Sequence, residues 1–122
     1  MFRVVFVLLA LALSAPLAQA ASYNYYGAIA VSPGNGYAGS GLKRSTYDNA
    51  REWAMYNCGK YASDCKIAVY FVNICAAVAR GQNGGYASGK ALQLNDAHRS
   101  AVNSCSTVDS GCRVVISGCS KP

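Results

Sequence analysis

Six cysteines are the most reactive set of residues in this 122-residue chain. Two pairs of them have the same spacing of seven positions, and one further cysteine follows each pair. Cysteines can form disulfides, ligate a metal ion or act as nucleophiles, but the chain lacks the Cys-x-x-Cys pair typical of zinc ribbons and thioredoxin-like redox sites. Since duplicated loops should close in the same way, we predict no free thiol and three disulfides: Cys58–Cys65, Cys105–Cys112 and Cys75–Cys119.

The remaining candidates for catalysis are one histidine and five carboxylates. His98 is predicted to be an exposed residue of the second helix, and Asp96, two positions away, does not face it as a general acid–base partner would. A glycoside hydrolase needs two carboxylates across the scissile bond, but Asp48, one helical turn from Glu52, is better explained as a helix cap. No serine-nucleophile elbow, phosphate loop or His-Glu-x-x-His motif occurs. We therefore predict no catalytic residue, no metal ion and no cofactor.

Residues 1–20 have the pattern of a signal peptide. Arg3 provides the positive start, residues 4–13 are apolar, and Ala18-Gln19-Ala20 is a small-x-small cleavage site. The mature chain is therefore predicted to be a single domain over residues 21–122. The apolar run is shorter than the roughly 20 residues that a spanning helix needs, and no later run is long enough. We expect a secreted or periplasmic protein without a transmembrane segment, in an oxidising compartment where cysteines pair.

The chain is basic, with 11 Lys and Arg against five Asp and Glu. Removal of Arg3 with the signal peptide leaves ten basic and five acidic residues, a net charge of +5. The basic residues are scattered, with Lys43-Arg44 as the closest pair, which is typical of a solvated surface. We expect weak affinity for anionic surfaces and no binding of nucleic acid.

The residues around the cysteines repeat as well and indicate a tandem duplication, with copy one at about 23–75 and copy two at about 76–122. Each copy is predicted as strand, strand, helix, cystine loop and strand. The apolar run 66–74 is predicted to be a strand buried on both faces. Because no linker separates the copies, we predict a disulfide-stabilised α+β fold. Its two units share one mostly antiparallel sheet with two helices packed on it, and Cys75–Cys119 joins the copies.

Small residues recur where the predicted elements should touch. Both helices carry two alanines and a cysteine at helical spacing on one face, which lets a helix lie close to a sheet. The second strand contains Gly39 and Gly41, which either weaken the strand or allow another backbone to approach closely.

Tyrosine is unusually common, with nine in the chain. Tyr37 and Tyr86 each lie between a glycine and an alanine, so we place them at equivalent hairpin positions, with Lys43 and Lys90 further along the same strands. Exposed tyrosines and cations suit recognition of a polar or acidic partner, and these four residues are our candidate binding site. The alternative is that both tyrosines, like Trp53, pack within the fold.

The run Tyr26-Gly27-Ala28-Ile29-Ala30-Val31-Ser32-Pro33, followed by Cys58, Asp64-Cys65 and Cys75, resembles the secreted bacterial family named domain of unknown function 4189. The likeness covers essentially the whole mature chain. It implies a small, exported, duplicated and cysteine-rich domain, and it carries over no activity, cofactor or catalytic residue. Copy two has Gly111 where copy one has Asp64, so we expect that Asp64 has no counterpart.

These observations favour a non-enzymatic exported binding domain that recognises another envelope or secreted protein, for example in an inhibitor or immunity-type role. A secreted cationic effector or toxin acting on another cell is one alternative, and a structural role in the envelope is another. A cell-envelope hydrolase is the least favoured of the alternatives.

Overall fold

The structure, a computed structural model, describes residues 23–122. The predicted signal peptide and its cleavage site lie outside the described residues. Within them the elements follow in the order β1 (Tyr26–Val31), β2 (Ala38–Arg44), α1 (Tyr47–Gly59), β3 (Lys66–Val72), β4 (Cys75–Arg80), β5 (Tyr86–Ala91), α2 (Leu94–Cys105) and β6 (Arg113–Cys119). The order strand, strand, helix, strand therefore occurs twice, as the sequence repeat predicts. We call β1 to β3 with α1 unit one, and β4 to β6 with α2 unit two.

The described strands form two three-stranded antiparallel sheets, in the orders β2-β1-β3 and β5-β4-β6. The predicted α+β class with two similar units is confirmed, whereas the single shared sheet is wrong. The apolar strand predicted at 66–74 ends at Val72 and is an edge strand with Tyr70 exposed. The strands buried on both faces are instead the central ones, β1 and β4.

The alternation of side chains on the central strands explains the two sheets. On β1, Ala28 and Ala30 pack against α1, whereas Ile29 and Val31 belong to a separate core cluster. On β4, Ala77 and Ala79 likewise face α2, whereas Ala76 and Val78 join Ile29 and Val31 between the sheets. Because both faces of each central strand need cover, the sheets pack face to face and give four layers in the order helix, sheet, sheet, helix.

Each helix lies so close to its sheet that only glycine fits beneath it. A Cβ at Gly41 would come within 2.2 Å of the carbonyl oxygen of Ala50, and a Cβ at Gly39 within 2.3 Å of the backbone N of Cys58. Gly89 on β5 has the same relation to α2. Of the two roles predicted for the strand glycines, close backbone approach is therefore confirmed.

Three disulfides are present, with the predicted pairing: Cys58–Cys65, Cys75–Cys119 and Cys105–Cys112. Two of them tie the C-terminal part of a helix to the strand that follows it. Cys75 begins β4 and lies opposite Cys119 in the register with β6, so this bond joins neighbouring strands of the second sheet. The expectation that it joins the copies is wrong, because the boundary between the units falls between Val72 and Cys75.

Opening the Cys75–Cys119 bond should destabilise the protein more than opening either local loop. This bond spans 44 positions of sequence and the other two span seven each. In the chain-entropy model, the long loop contributes about 4 kcal/mol to the free energy of unfolding and each short loop about 2.5 kcal/mol. Urea denaturation of paired Cys→Ala variants measures the losses, and an equal loss for all three bonds would contradict the prediction.

Candidate functional site

His98 occupies a different setting from the exposed one predicted. It is partly buried, and its Nε2 lies 2.7 Å from the Oγ of Ser117 on β6. A serine–histidine pair becomes a nucleophilic site when a third group orients the imidazole through its other nitrogen. Among residues 23–122 no group hydrogen-bonds to that nitrogen, and Asp96 pairs with Arg99 instead. The pair therefore joins α2 to β6 and lacks the orienting group of a catalytic triad.

Neither a metal-binding cluster nor a spanning helix is found between residues 23 and 122. No three His, Cys, Asp or Glu side chains in this range come together to hold a metal ion. No helix in the same range combines the length and apolar character needed to cross a membrane. This range has two other notable features: hairpin turns that are hydrogen-bonded to aspartates, and a surface of aromatic and basic side chains.

Two aspartates accept hydrogen bonds from backbone amides of the hairpin turns. The carboxylate of Asp64 accepts a hydrogen bond from the backbone N of Gly34 in the β1–β2 turn at 3.0 Å. Asp109 accepts from the backbone N atoms of Asn83 and Gly85 in the β4–β5 turn, at 3.0 and 2.8 Å. Asp109 therefore does in unit two what Asp64 does in unit one. The expectation that Asp64 has no counterpart is wrong, because Asp109 lies two positions earlier than the repeat spacing predicts.

These hydrogen bonds lower the pKa of both carboxyl groups below the ordinary value of 3.8. For Asp64 the largest cause is the hydrogen bond from the Ser32 hydroxyl, followed by the amide of Gly34. For Asp109 the largest cause is the amide of Ser110, opposed by desolvation and aided by the amide of Gly85. A donor that binds the charged carboxylate stabilises it, so ionisation of both aspartates favours the folded state.

Asp64→Asn and Asp109→Asn should lower the melting temperature at neutral pH and have a much smaller effect in acid. Because each folded pKa is depressed, the stabilisation is fully present above the ordinary value of 3.8 and is lost as the pH falls through the folded pKa. The wild type should therefore lose stability below about pH 4 and approach the variants. Melting curves at neutral and acidic pH measure the gap, and a gap independent of pH would refute this explanation.

The two tyrosines of the predicted binding site are not equivalent. Tyr37 lies in the β1–β2 turn, is 48% exposed, and stacks on Tyr61 with ring centroids 5.5 Å apart. Tyr86 begins β5 and packs against the core between the sheets, where the packing alternative places it. The first hairpin turn is one residue longer than the second. Because a slip of one residue turns a strand side chain to the opposite face, the two tyrosines do not occupy equivalent positions.

The two lysines of that site are both exposed but lie on edge strands of different sheets. Lys43 is at the end of β2 remote from Tyr37, with a φ of 54°, and its backbone N donates to the Oγ of Ser120 at 2.9 Å. Lys90 lies on β5 opposite Ala76. The structure therefore does not bring the four predicted residues into one surface, and their role in binding stays a prediction.

A surface that the sequence does not single out lies on the outer side of α1. It consists of Arg44, Trp53, Tyr56 and Lys60, and we call it the α1 surface. Trp53 and Tyr56 are 44% and 63% exposed and meet edge to face, with ring centroids 6.1 Å apart. Together with Glu52 they line a groove of about 450 Å³. Trp53 is therefore about half exposed, although its ring still packs on Tyr56 and Arg44.

Two cations hold the rings of the α1 surface in place. The guanidinium of Arg44 lies 4.9 Å from the centre of the Trp53 ring, and the Nζ of Lys60 lies 4.9 Å from that of Tyr56. Arg44 also donates from its Nε to the side chain of Asn49, whose backbone N bonds to the N-cap of the helix. Each cation–π contact at such an exposed site contributes about 0.5–1 kcal/mol, which favours the observed positions of the two rings.

Further tyrosines extend the aromatic area around α1. Tyr47, at the start of the helix, packs edge to face on Tyr26 and Tyr70, with ring centroids 4.6 and 5.5 Å away. Beyond the other end of the helix, Tyr61 stacks on Tyr37. The rings therefore border α1 at both of its ends.

This aromatic area is confined to unit one. Residues 75–122 contain a single aromatic residue, Tyr86. In the repeat, Trp53 and Tyr56 correspond to Ser100 and Asn103 on α2. Since α2 packs on its sheet without these rings, the fold does not require them on α1. Comparison of the outward positions of the two helices is the sequence signal that would have identified the α1 surface.

The comparisons with known proteins yield one match. A family model described as a domain of unknown function (DUF4189) matches residues 26–119. These bounds are the first residue of β1 and the last residue of β6, so the matched segment is the whole duplicated fold. No curated protein and no solved structure matches the chain.

Proposed function

This chain belongs to the DUF4189 family of domains of unknown function, and we propose that it is an exported, non-enzymatic binding domain. We propose further that it recognises another envelope or secreted protein through the α1 surface. The signal-peptide pattern at residues 1–20 and the three disulfides support export into an oxidising compartment.

The exposed ring of Trp53, held by Arg44, is the observation that carries this proposal. Trp, Tyr and Arg are the residue types that contribute most to the binding energy of protein interfaces, and the α1 surface places one of each side by side. A ring that is already ordered loses little freedom on binding, which reduces the entropy lost on association. A purely structural role of the two rings is unsupported, because Ser100 and Asn103 occupy the positions on α2 that correspond to Trp53 and Tyr56.

The charge around the groove indicates what the partner presents. Arg44 and Lys60 flank the two rings. Glu52 is the acidic residue that lines the groove together with the rings. A complementary partner would insert an apolar side chain into the groove beside the rings and place carboxylates opposite the cations. An envelope enzyme or a toxin with an acidic cleft has this chemistry, so we favour an inhibitory or immunity-type role.

Capture from an envelope extract of the native host tests the proposal. The wild type, the double variant Trp53→Ser with Tyr56→Ser, and the control Asn103→Ala are immobilised in equal amounts. Asn103 is exposed and is the α2 counterpart of Tyr56. We expect the wild type and the control to retain the same protein and the double variant to lose it. Equal retention by all three, or retention of polysaccharide alone, would show that the α1 surface is not a protein-binding site.

A further inference from the structure

A second candidate site lies between the hairpin turns of the two units. It is a cleft of about 490 Å³, lined by two arginines, two side-chain amides, three glycines and Val115. The arginines are Arg80 at the end of β4 and Arg113 at the start of β6, and the amides are Asn35 and Gln82. None of its lining residues belongs to the α1 surface.

The guanidinium of Arg80 makes few hydrogen bonds. Its Nη2 donates to the carbonyl oxygen of Pro33 in the other unit's turn, at 3.4 Å. Its Nε is buried and has no partner among the described residues. The guanidinium lies against the β1–β2 turn, where a Cβ at Gly36 would come within 3.1 Å of Nη1. A charged group with so few acceptors in a partly buried position is stabilised by a bound anion.

The second arginine adds to this charge. Arg80 and Arg113 are direct partners in the register of β4 and β6, and like charges at directly opposite positions repel each other. The ion pair found within residues 23–122 is Arg99–Asp96, so neither cleft arginine is neutralised by a carboxylate of this range. The carboxylates of Asp64 and Asp109 bond to backbone amides of the hairpin turns and form no ion pair with either arginine.

Comparison of the units shows that the fold does not need this pair. The corresponding positions of unit one are Val31 and Lys66, which are likewise opposite each other. Val31 is buried with 5% exposure in the core between the sheets. Unit two therefore has an arginine where unit one has an apolar core residue, opposite a position that is cationic in both units, and this places two positive charges in one cleft.

We propose that this cleft binds a phosphate-type dianion, either free phosphate or the phosphate monoester of a larger envelope molecule. One phosphate group can accept hydrogen bonds from both guanidinium groups and neutralise both charges. The amides of Asn35 and Gln82 provide further donors at the rim. This site is independent of the α1 surface and does not rest on the proposed function.

Titration of the isotope-labelled, disulfide-bonded protein, followed by NMR, tests the site. Inorganic phosphate, pyrophosphate and glycerol phosphate are added separately at constant ionic strength and about pH 8, where a phosphate monoester carries two charges. We expect saturable shifts of the backbone resonances of Asn35, Gly36, Gly81 and Gln82, which chloride does not produce. Tighter binding of glycerol phosphate than of phosphate would identify an ester as the ligand, and the reverse would identify the free ion.

The variants decide whether the arginines are responsible. Arg113→Gln and Arg80→Gln should each weaken binding by about tenfold or more. Arg113 is exposed, so its variant should fold normally even if Arg80→Gln does not, and Arg51→Gln on the exposed side of α1 should bind like the wild type. Absence of saturable binding, or equal affinity in Arg113→Gln and the wild type, would overturn the proposal.

Discussion

Replacement of Gly89 by valine should strongly destabilise the protein. A Cβ at this position would lie 2.3 Å from the backbone N of Ala101 and 2.6 Å from the Cβ of Ser100, so α2 would have to move off its sheet. The movement would open the buried layer that contains Ala97, Ala101 and Cys105. Because backbone atoms cannot yield as a flexible side chain does, we expect a loss at the upper end of the range usual for overpacking or above it, about 3 kcal/mol or more. This is a large part of the total stability of about 5–15 kcal/mol of a domain.

Gly59→Ala is the matched control for this prediction. Gly59 is the last residue of α1, and a Cβ there would meet nothing within 4 Å. Neither glycine has a positive φ, so the comparison isolates the steric effect from backbone strain. We expect the control to change stability by at most about 1 kcal/mol, in the stabilising direction. Circular dichroism during urea denaturation measures both variants, and a Gly89→Val protein as stable as the control would disprove the close helix–sheet approach.

Loss of the two α1 rings should remove most of the partner affinity without unfolding the protein. Trp53 and Tyr56 are exposed and lie outside the core clusters, so the double serine variant should melt close to the wild-type temperature. Interface hot spots contribute about 2 kcal/mol or more each, which corresponds to at least about a thirtyfold loss of affinity for one ring. Affinity and melting are measured on the same samples of the wild type, the double variant and Asn103→Ala. A fall in melting temperature with unchanged affinity of the folded fraction would assign the rings to packing.

The features of the fold that could be predicted from the sequence are local ones. Cysteine spacing determines which loops can close, so the three pairs follow from the repeat, and the alanine stripes identify the buried faces of both helices. The number of sheets is not local, because it depends on which strands of different units pair. The alternation of alanines with Ile29 and Val31 on β1 contains the relevant signal, since both faces of that strand need cover.

The candidate site was harder to predict, because single-residue differences between the units decide it. One additional residue in the first hairpin turn places Tyr37 on the surface and leaves Tyr86 partly buried against the core, although both lie in the same Gly-Tyr-Ala triplet. Asp109 takes the role of Asp64 in the second unit, but from a position two residues earlier than the repeat spacing gives. The alanine stripe leaves Trp53 off the buried face of α1, but it does not specify the contacts with Arg44 and Tyr56 that make the ring part of a surface.

Whether the α1 surface is the binding surface can be measured directly at Trp53. The chain contains one tryptophan, so a single indole N–H resonance in the NMR spectrum reports on this surface. When the captured partner is added to the labelled protein, the indole resonance of Trp53 and the backbone resonances of Arg44, Tyr56 and Lys60 should shift, while those of α2 stay unchanged. An unmoved Trp53 indole, with shifts confined to α2 or to the hairpin turns at saturating partner, would contradict the proposed function.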